Sequence, residues 1–472
     1  MNVGRIAAVL LLAALGGCMV GPDYERPSLA LPGAFPHASP ADAGSEAVPS
    51  DWWRLFDDPM LNEVVETALE SNTDIAQSVA RIEEADANLR AVNAALFPEI
   101  DLSGGANRSG FSNKVASPPS PGTPSVRNDL RLVLSSSFEV DFWGKLRRAS
   151  EAARAQQLGT RYAKDVVTLS IAALTTQTYF SLRSLDAQIA ATRATLGTRE
   201  DTLKIVRRRA EGGLSSDLEV RQAEGARSDA EFQLNEFLRQ RALGEHLLAT
   251  LTSRLDRTVP PGDLAQLPLP ALPPAGLPSS LLERRLDIRQ AEQDLISANA
   301  QIGVAKAQLF PTITLTGDFG GESKALAGLF TVPGRIWTFA AGVSAPIFEA
   351  GKLTALVDVQ RARQRQSLAI YQKTIQTAFR EVADALINVR QYAALESNAQ
   401  ESVDAARDAL RLANTRYQAG YTGFLDVLDS QRSVNLAELA LIRSRQNLLS
   451  ASVDLMKALG GGWEPEQRAA ER

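Results

Sequence analysis

Arg416-Tyr417-Gln418-Ala419-Gly420-Tyr421-Thr422-Gly423-Phe424-Leu425-Asp426-Val427-Leu428-Asp429-Ser430-Gln431 decides how this chain is built. Helix-forming sequence enters and leaves the stretch, and Gly420 and Gly423 interrupt it. Glycine accepts the positive φ that a tight helix-to-helix reversal requires. The returning helix opens with Asp426 and Asp429, three residues apart and so on one face. Alone, this reads as a solvated αα-hairpin with acidic residues favoured by the helix dipole. The chain contains it twice. Glu211-Gly212-Gly213-Leu214-Ser215-Ser216-Asp217-Leu218-Glu219-Val220 is the first copy, and Gly420 follows Gly213 by 207 positions. Gly351-Lys352 follows Gly144-Lys145 by the same 207, and Phe310-Pro311 follows Phe97-Pro98 by 213. An internal duplication is the strongest structural signal in the sequence.

Outward from each hairpin the pattern is helical. No proline stands between Pro124 and Pro260, and a helix of some 65 residues rising 1.5 Å each is about 100 Å long. The last helix carries a heptad, Val427, Ser430, Val434, Ala437, Leu441, Ser444, Leu448, Ala451 and Leu455, in which large and small residues alternate. Leu436, Leu439, Ile442, Leu449, Val453 and Met456 lie off that line. Two apolar sides suit a curved wall of helices, each with two neighbours.

Before each long helix the period changes to two. Phe-Pro ends a helix, because proline cannot continue the ladder and pushes its predecessor into extended backbone. Strands are expected near 99–110, 127–142, 312–321 and 335–348. Ile100, Leu102, Gly104 and Ala106 alternate with polar residues in the first, and Leu130 through Phe142 alternate in the second. Ile313, Leu315, Gly317 and Phe319, then Trp337, Phe339, Ala341, Val343, Ala345 and Ile347, do so in the second repeat. Each run is about the ten residues a tilted membrane strand needs. Four strands cannot close a barrel, and an open edge is not viable in lipid. Three copies would supply twelve, an even number in the range of outer-membrane barrels.

Composition excludes other classes. Charge is balanced, with 50 basic and 55 acidic residues, which argues against a nucleic-acid binder. Two His, four Met and one Cys leave little for a metal site, a catalytic histidine or a disulfide framework. No Ser/His/Asp set or phosphate loop is present, so no catalytic residue and no enzyme is expected. The one cysteine sits where it matters. Arg5, the apolar run Ile6 to Leu15, and Gly16-Gly17-Cys18 form a secretory signal too short to span a bilayer.

The expected organisation is a signal peptide at 1–17, an extended strap at 18–60, a first repeat at 61–252 with its tip near 211–220, a Pro-rich insert at 253–280 packed on the outside, a second repeat at 281–459 with its tip near 417–427, and a tail at 460–472. One helix is expected from Leu61 to Leu96. Within the strap, Asp51-Trp52-Trp53 through Phe56 reads as a docking knot on a partner surface, formed by packing and not as a ligand cage.

The small residues before Cys18 resemble a bacterial lipobox, which implies a diacylglycerol and an N-acyl (palmitoyl) chain on Cys18. Met19 follows, not the Asp of inner-membrane retention, so an outer-membrane anchor is expected. As a whole the sequence resembles the TolC/OprM-type outer-membrane factors, specifically the lipoprotein branch in tripartite efflux pumps. The resemblance runs through Cys18-Met19-Val20-Gly21-Pro22-Asp23-Tyr24, Arg26-Pro27, Asp51-Trp52-Trp53 to Leu61, Gly276-Leu277-Pro278-Ser279, Arg284-Arg285, Asp287-Ile288, Ala291-Glu292, Ile302-Gly303 and Ala458-Leu459-Gly460-Gly461-Gly462-Trp463. It departs at Leu286, where the family has proline and where a local turn difference is expected.

The resemblance implies an α+β membrane protein: a homotrimer with a twelve-stranded β-barrel through the outer membrane, four strands per chain, continued by a long α-helical barrel into the periplasm. It implies a periplasmic adaptor and an inner-membrane pump as partners. It also implies a gate at the far end, with Asp426 and Asp429 as carboxylate rings, Leu425 at an apolar constriction, Arg416 and Tyr417 as latches, and Glu219 as their acidic partner, bonded for example by the Tyr417 hydroxyl. The first hairpin has Gln222 where the second has Asp429, so only the second supplies both rings. The function expected is an exit duct for small molecules such as drugs. A protein-secretion conduit of the same fold and, in a different class, a trimeric coiled-coil adhesin are the alternatives; two His and four Met give metal efflux no support.

Overall fold

The computed structural model describes residues 19–28, 32–35, 48–112, 114–116, 120, 122, 124–271 and 281–461. The signal segment, Cys18, Gly276-Leu277-Pro278-Ser279 and Gly462-Trp463 lie outside the described residues. In chain order the main elements are α1 (Pro59–Ser71), α2 (Thr73–Ala94), β1 (Glu99–Gly110), β2 (Val126–Val140), α3 (Lys145–Glu211), α4 (Asp217–Leu251), α5 (Leu286–Ala307), β3 (Thr312–Ser323), β4 (Arg335–Ser344), α6 (Lys352–Gln418) and α7 (Phe424–Ala458).

The duplication is written into the backbone. α3 and α6 are both 67 residues long, and α4 and α7 both 35. Positive φ recurs at Gly144 and Gly351, at Gly213 and Gly420, and at Ser253 and Gly460, each pair 207 positions apart. α2 and α5 have 22 residues each and β1 and β3 have 12 each, offset by 213. The chain divides into two compact units, one of Met1–Ser28, Arg81–Thr160 and Gln290–Tyr371, the other of Leu29–Ala80, Arg161–Arg289 and Gln372–Arg472.

The first unit holds an antiparallel sheet in the order β1-β2-β3-β4. Its register puts Leu102 opposite Leu134, Leu134 opposite Phe319, and Phe319 opposite Trp337. Because the side-chain period is two, every second residue joins that face. Ile100, Phe138, Leu315, Phe339 and Val343 therefore share one apolar face, while Asp101, Ser135, Glu139, Thr314, Thr316 and Asp318 share the other. On the polar face the Ser135 hydroxyl donates to Asp318 across the ladder at 2.8 Å. No helix among the described residues is long and apolar enough to cross a membrane. β4 ends at Ser344, earlier than the alternation suggests, because Pro346 has no N–H for a ladder.

In the same unit α3 lies between α2 and α5. Gln157 donates to Asp86 at 2.6 Å on one side, and Gly159 meets the side chains of Gln293 and Asp294 on the other. The strap following Cys18 is fixed here. The Val20 amide donates to the Trp143 carbonyl, Asn299 donates to the Pro22 carbonyl, and Glu292 accepts from both Tyr24 and Arg26. Burial, then the Glu292 charge, pushes the Tyr24 hydroxyl far above its ordinary range.

The second unit has its core where a 3-10 turn, Trp52–Phe56, meets α3, α4 and α7. Trp52 and Phe56 are completely buried, with Phe180, Leu248, Leu449 and Val453 around them. The tryptophan pair is thus part of the chain's own core and not a knob offered to a partner, since no apolar surface of Trp52 is left to offer. The Pro-rich insert is not merely outside either: Val259, Leu264 and Leu267 enter the same core. Asp58 caps α1 and accepts from Tyr179, whose hydroxyl also accepts from Arg183.

The helix expected from Leu61 to Leu96 is two helices. Asn72 is extended, its side-chain oxygen accepts from the amides of Asp74 and Ile75, and its amide group donates to the Leu251 carbonyl. Asparagine offers the backbone an alternative to the helical ladder. Leu286 is the first residue of α5, a position at which proline's missing N–H would cost nothing, so the helix start accepts either residue. On α7 the buried line includes Gln431 and Asn435, while Leu436 is 54 % exposed. The heptad reading missed these two amides because their partners, Thr202, Thr195 and Gln233, are on the first hairpin.

Candidate functional site

Both hairpin tips belong to the second unit. α6 ends in a Schellman motif: the Gly420 amide donates to the Tyr417 carbonyl at 3.1 Å and the Tyr421 amide to the Arg416 carbonyl at 2.9 Å. The first tip repeats it, Gly213 to Ala210 and Leu214 to Arg209. Gly420 has φ +77° and Gly213 has φ +69°, the left-handed region glycine enters without strain. Gly423 does not share that role. It is the extended N-cap of α7, with φ −79° and ψ 164°, so of the two glycines expected to turn the second tip, one does.

Phe424, the first residue of α7, is buried against Leu203, Val206 and Ala223 of the first hairpin. The Tyr417 ring lies 5.8 Å from the Phe424 ring and takes the Arg209 guanidinium on its face at 5.0 Å. Its hydroxyl is buried without a hydrogen bond. The expected bond from Tyr417 to Glu219 is therefore not made within the chain; the tyrosine is held by its ring, between an aromatic and a cation. Arg416 is exposed and pairs with no carboxylate among the described residues.

The groups exposed at the tips include several named from the sequence. Leu425 is 62 % exposed, and Asp426 and Asp429 are exposed beside it, with the Thr422 hydroxyl donating to Asp426. Glu219 sits in the first turn of α4, its amide bound to the capping Ser216 hydroxyl at 3.4 Å. Leu218 is a further exposed group, beyond those the sequence analysis names. It stands 207 positions before Leu425 and is 65 % exposed, so the repeat offset was the signal that identifies it. The same offset makes Arg209 the counterpart of Arg416. No group of His, Cys, Asp and Glu among the described residues is arranged to hold a metal ion.

The first unit thus presents a sheet with one apolar and one polar face, and the second a pair of equivalent helical hairpins. The outer membrane efflux protein family model matches residues 64–254 and again 277–461, one match per repeat. The chain belongs to the outer membrane efflux protein family. It is 35 % identical to the probable efflux pump outer membrane protein SepC of Pseudomonas putida, over 97 % of this chain and 96 % of that one. It is 33 % identical to outer membrane protein OprJ of Pseudomonas aeruginosa, over 97 % and 96 % respectively. Among solved structures, the CmeC outer membrane channel of Campylobacter jejuni superposes with a TM-score of 0.87 at 26 % identity, covering 95 % of this chain and 96 % of that one. The open-state MtrE outer membrane channel of Neisseria gonorrhoeae gives 0.84 at 31 % identity, covering 94 % and 98 %.

This efflux protein resides in the outer membrane and reaches into the periplasm, as the outer-membrane channel of an efflux system. The expected fold class stands: an internally duplicated chain giving four strands and long helices to a trimeric β-barrel and α-barrel. The secretion-conduit and adhesin alternatives yield to the efflux family.

Proposed function

We propose that this efflux protein is the exit duct of a tripartite assembly, carrying small apolar or amphipathic molecules from an inner-membrane pump and a periplasmic adaptor to the outside, and that its gate is the second hairpin tip. Relatives named for toluene and antibiotic efflux support the substrate class. The observation that carries the gate is the asymmetry of the tips: Asp426 and Asp429 both stand exposed on α7, whereas the first hairpin offers Glu219 and Gln222 at the same places.

Around a threefold axis six such carboxylates repel one another and attract cations. A pair about 6 Å apart at an effective dielectric near 20 costs about 3 kcal/mol, less where water fills the pore. Leu425 forms the apolar constriction next to them. Arg416, which pairs with no carboxylate among the described residues, reaches Glu219 or a carboxylate of a neighbouring copy as the latch, and Tyr417 braces it through its ring. Opening is an outward swing of the tip about Gly420 when adaptor contacts replace these latches. The Cys18 lipid anchors the N-terminus, in keeping with a strap docked from Met19 onward.

The test is planar-bilayer conductance of the purified trimer beside Asp426→Asn/Asp429→Asn. Small cation-selective currents that lose their selectivity in the variant are expected. Unchanged selectivity in a well-folded variant would move the gate elsewhere.

A further inference from the structure

Charge on the sheet is sorted by face. The four strands carry ten charged residues, and eight of them, all six acids included, stand on the polar face. The apolar face holds two, and both are arginines. Arg108 follows Leu102, Gly104 and Ala106 in steps of two along β1, and Arg335 lies opposite Gly321, two positions out from the Phe319 and Trp337 pair. We propose that Arg108 and Arg335 bind the phosphates of an acylated, phosphorylated glycolipid of the outer leaflet, with the β3–β4 connection packing on its acyl chains. The site is apart from the duct and its gate, and needs only that the apolar face of the sheet meets lipid.

The two arginines stand at one height. Arg108 is nine positions after Glu99, where β1 leaves α2, and Arg335 is nine before Ser344, where β4 turns toward α6. Nine steps of about 3.3 Å, tilted by roughly 35–45°, rise about 21–24 Å. The apolar band of such a barrel is about 25 Å tall, so both guanidiniums reach its margin on the side away from the periplasm. Trp337 is the next residue on that face of β4, and aromatic girdles mark the margins of the band. A cation is costly on the lipid face at mid-membrane and nearly free at this height.

What distinguishes this margin is the missing anion. At the helix end of the sheet the cations have carboxylates in the same chain: Lys145 donates to Glu139 and Arg147 to Asp141. At the far end they have none. Arg335 is exposed and lies over the Phe319 ring at 5.9 Å, and neither it nor the exposed Arg108 pairs with a carboxylate among the described residues. The acids of the sheet all face the other way, so the anion complementary to these groups is one carried by the lipid. Guanidinium matches phosphate through two parallel hydrogen bonds, a geometry lysine lacks.

The β3–β4 connection adds an apolar surface on the same side. Gly321 belongs to the apolar face, and a Cβ there would run into the Leu329 carbonyl, so the one-turn helix Leu326–Leu329 folds back over that face. Leu326, Phe330 and Val332 are left exposed around it. Large apolar groups beside an unpaired guanidinium suit acyl chains that end at a phosphate. A phospholipid of the inner leaflet has a phosphate as well, but it lies at the helix end, where the cations are already paired.

The test is titration of the purified full-length trimer in detergent with lipid A bearing both phosphates, bound copies being counted by native mass spectrometry. Parent protein is expected to bind it at least tenfold more tightly than dephosphorylated lipid A or phosphatidylglycerol. Arg108→Gln/Arg335→Gln is expected to lose at least tenfold in affinity, whereas Arg131→Gln, on the polar face of β2, loses none. Equal binding of the dephosphorylated form, or full affinity in the double variant, overturns the phosphate site. Phosphatidylglycerol bound as tightly as lipid A overturns the glycolipid. Phe330→Ser/Val332→Ser is expected to weaken binding about threefold, and an unchanged affinity overturns the part given to the connection. Should Arg108→Gln/Arg335→Gln fail to assemble, the comparison of the three lipids on the parent decides.

Discussion

Gly21 and Gly303 meet so closely that a Cβ on Gly21 would lie 2.6 Å from the Gly303 Cα. Arg148 closes the same place, its guanidinium buried and donating to Asp23 at 2.5 Å and to Glu151 at 2.7 Å. Burial opposes the charge on Arg148, and the bonds to the two carboxylates more than restore it. The strap behind Cys18 is thus held by a backbone contact that tolerates no side chain.

Gly303→Val is therefore expected to lift the strap from α5. Overpacking of this kind costs about 1–3 kcal/mol. The expected readouts are a lower thermal midpoint and faster chymotryptic cleavage at Tyr24. Gly197→Ala, a helical site where a Cβ meets nothing within 4 Å, is the control and should hold or raise stability.

At the second hairpin tip the Tyr417 hydroxyl is buried with no partner among the described residues, so Tyr417→Phe should leave tip stability within about 1 kcal/mol or raise it. Tyr417→Ala, which removes the ring from between Phe424 and Arg209, should cost about 3 kcal/mol. Hydrogen exchange of the α6–α7 turn measures both. A loss from Tyr417→Phe as large as that from Tyr417→Ala would mean the hydroxyl finds an acceptor in the assembled channel.

The two faces of the sheet make opposite predictions for a new charge. Leu134→Arg places a cation on the apolar face and should cost about 2–4 kcal/mol near mid-membrane, seen as a fall in the yield of assembled trimer. Thr316→Arg, on the polar face, should insert normally and shift ion selectivity toward anions.

Asp294 carries a pH signature. Burial against α3 raises its carboxyl above the ordinary value of 3.8. The folded chain then binds the proton more tightly than the unfolded one, so ionisation erodes stability as pH rises through that region. Asp294→Asn should raise the melting temperature at neutral pH, with the gain vanishing below pH about 4. A variant less stable at pH 7 would show that the carboxylate has a cationic partner between copies.

Much of this was legible because it is periodic. Gly144, Gly213, Gly351 and Gly420 mark the boundaries of the long helices, and each has positive φ for a local reason a sequence can carry. Strand faces follow from alternation alone. What failed was non-local. Asn72 breaks a helical pattern by binding the Leu251 carbonyl, far away in sequence. Gln431 and Asn435 look like solvated positions until the first hairpin supplies their partners. The polar end of Tyr417 suggests a hydrogen bond, yet it is its ring that packs.

The sequence by itself determined the two repeats, the four two-faced strands, the hairpin tips with their carboxylates, and the family, because periodicity, glycine and proline act through the local backbone. Only the tertiary structure decided which helix lies beside which, how Gly21 seats on Gly303, that Trp52 is core and not contact surface, and the register of the strands within the sheet. Those depend on which surfaces meet, and distant residues choose their partners by shape and hydrogen bonding that no local pattern encodes.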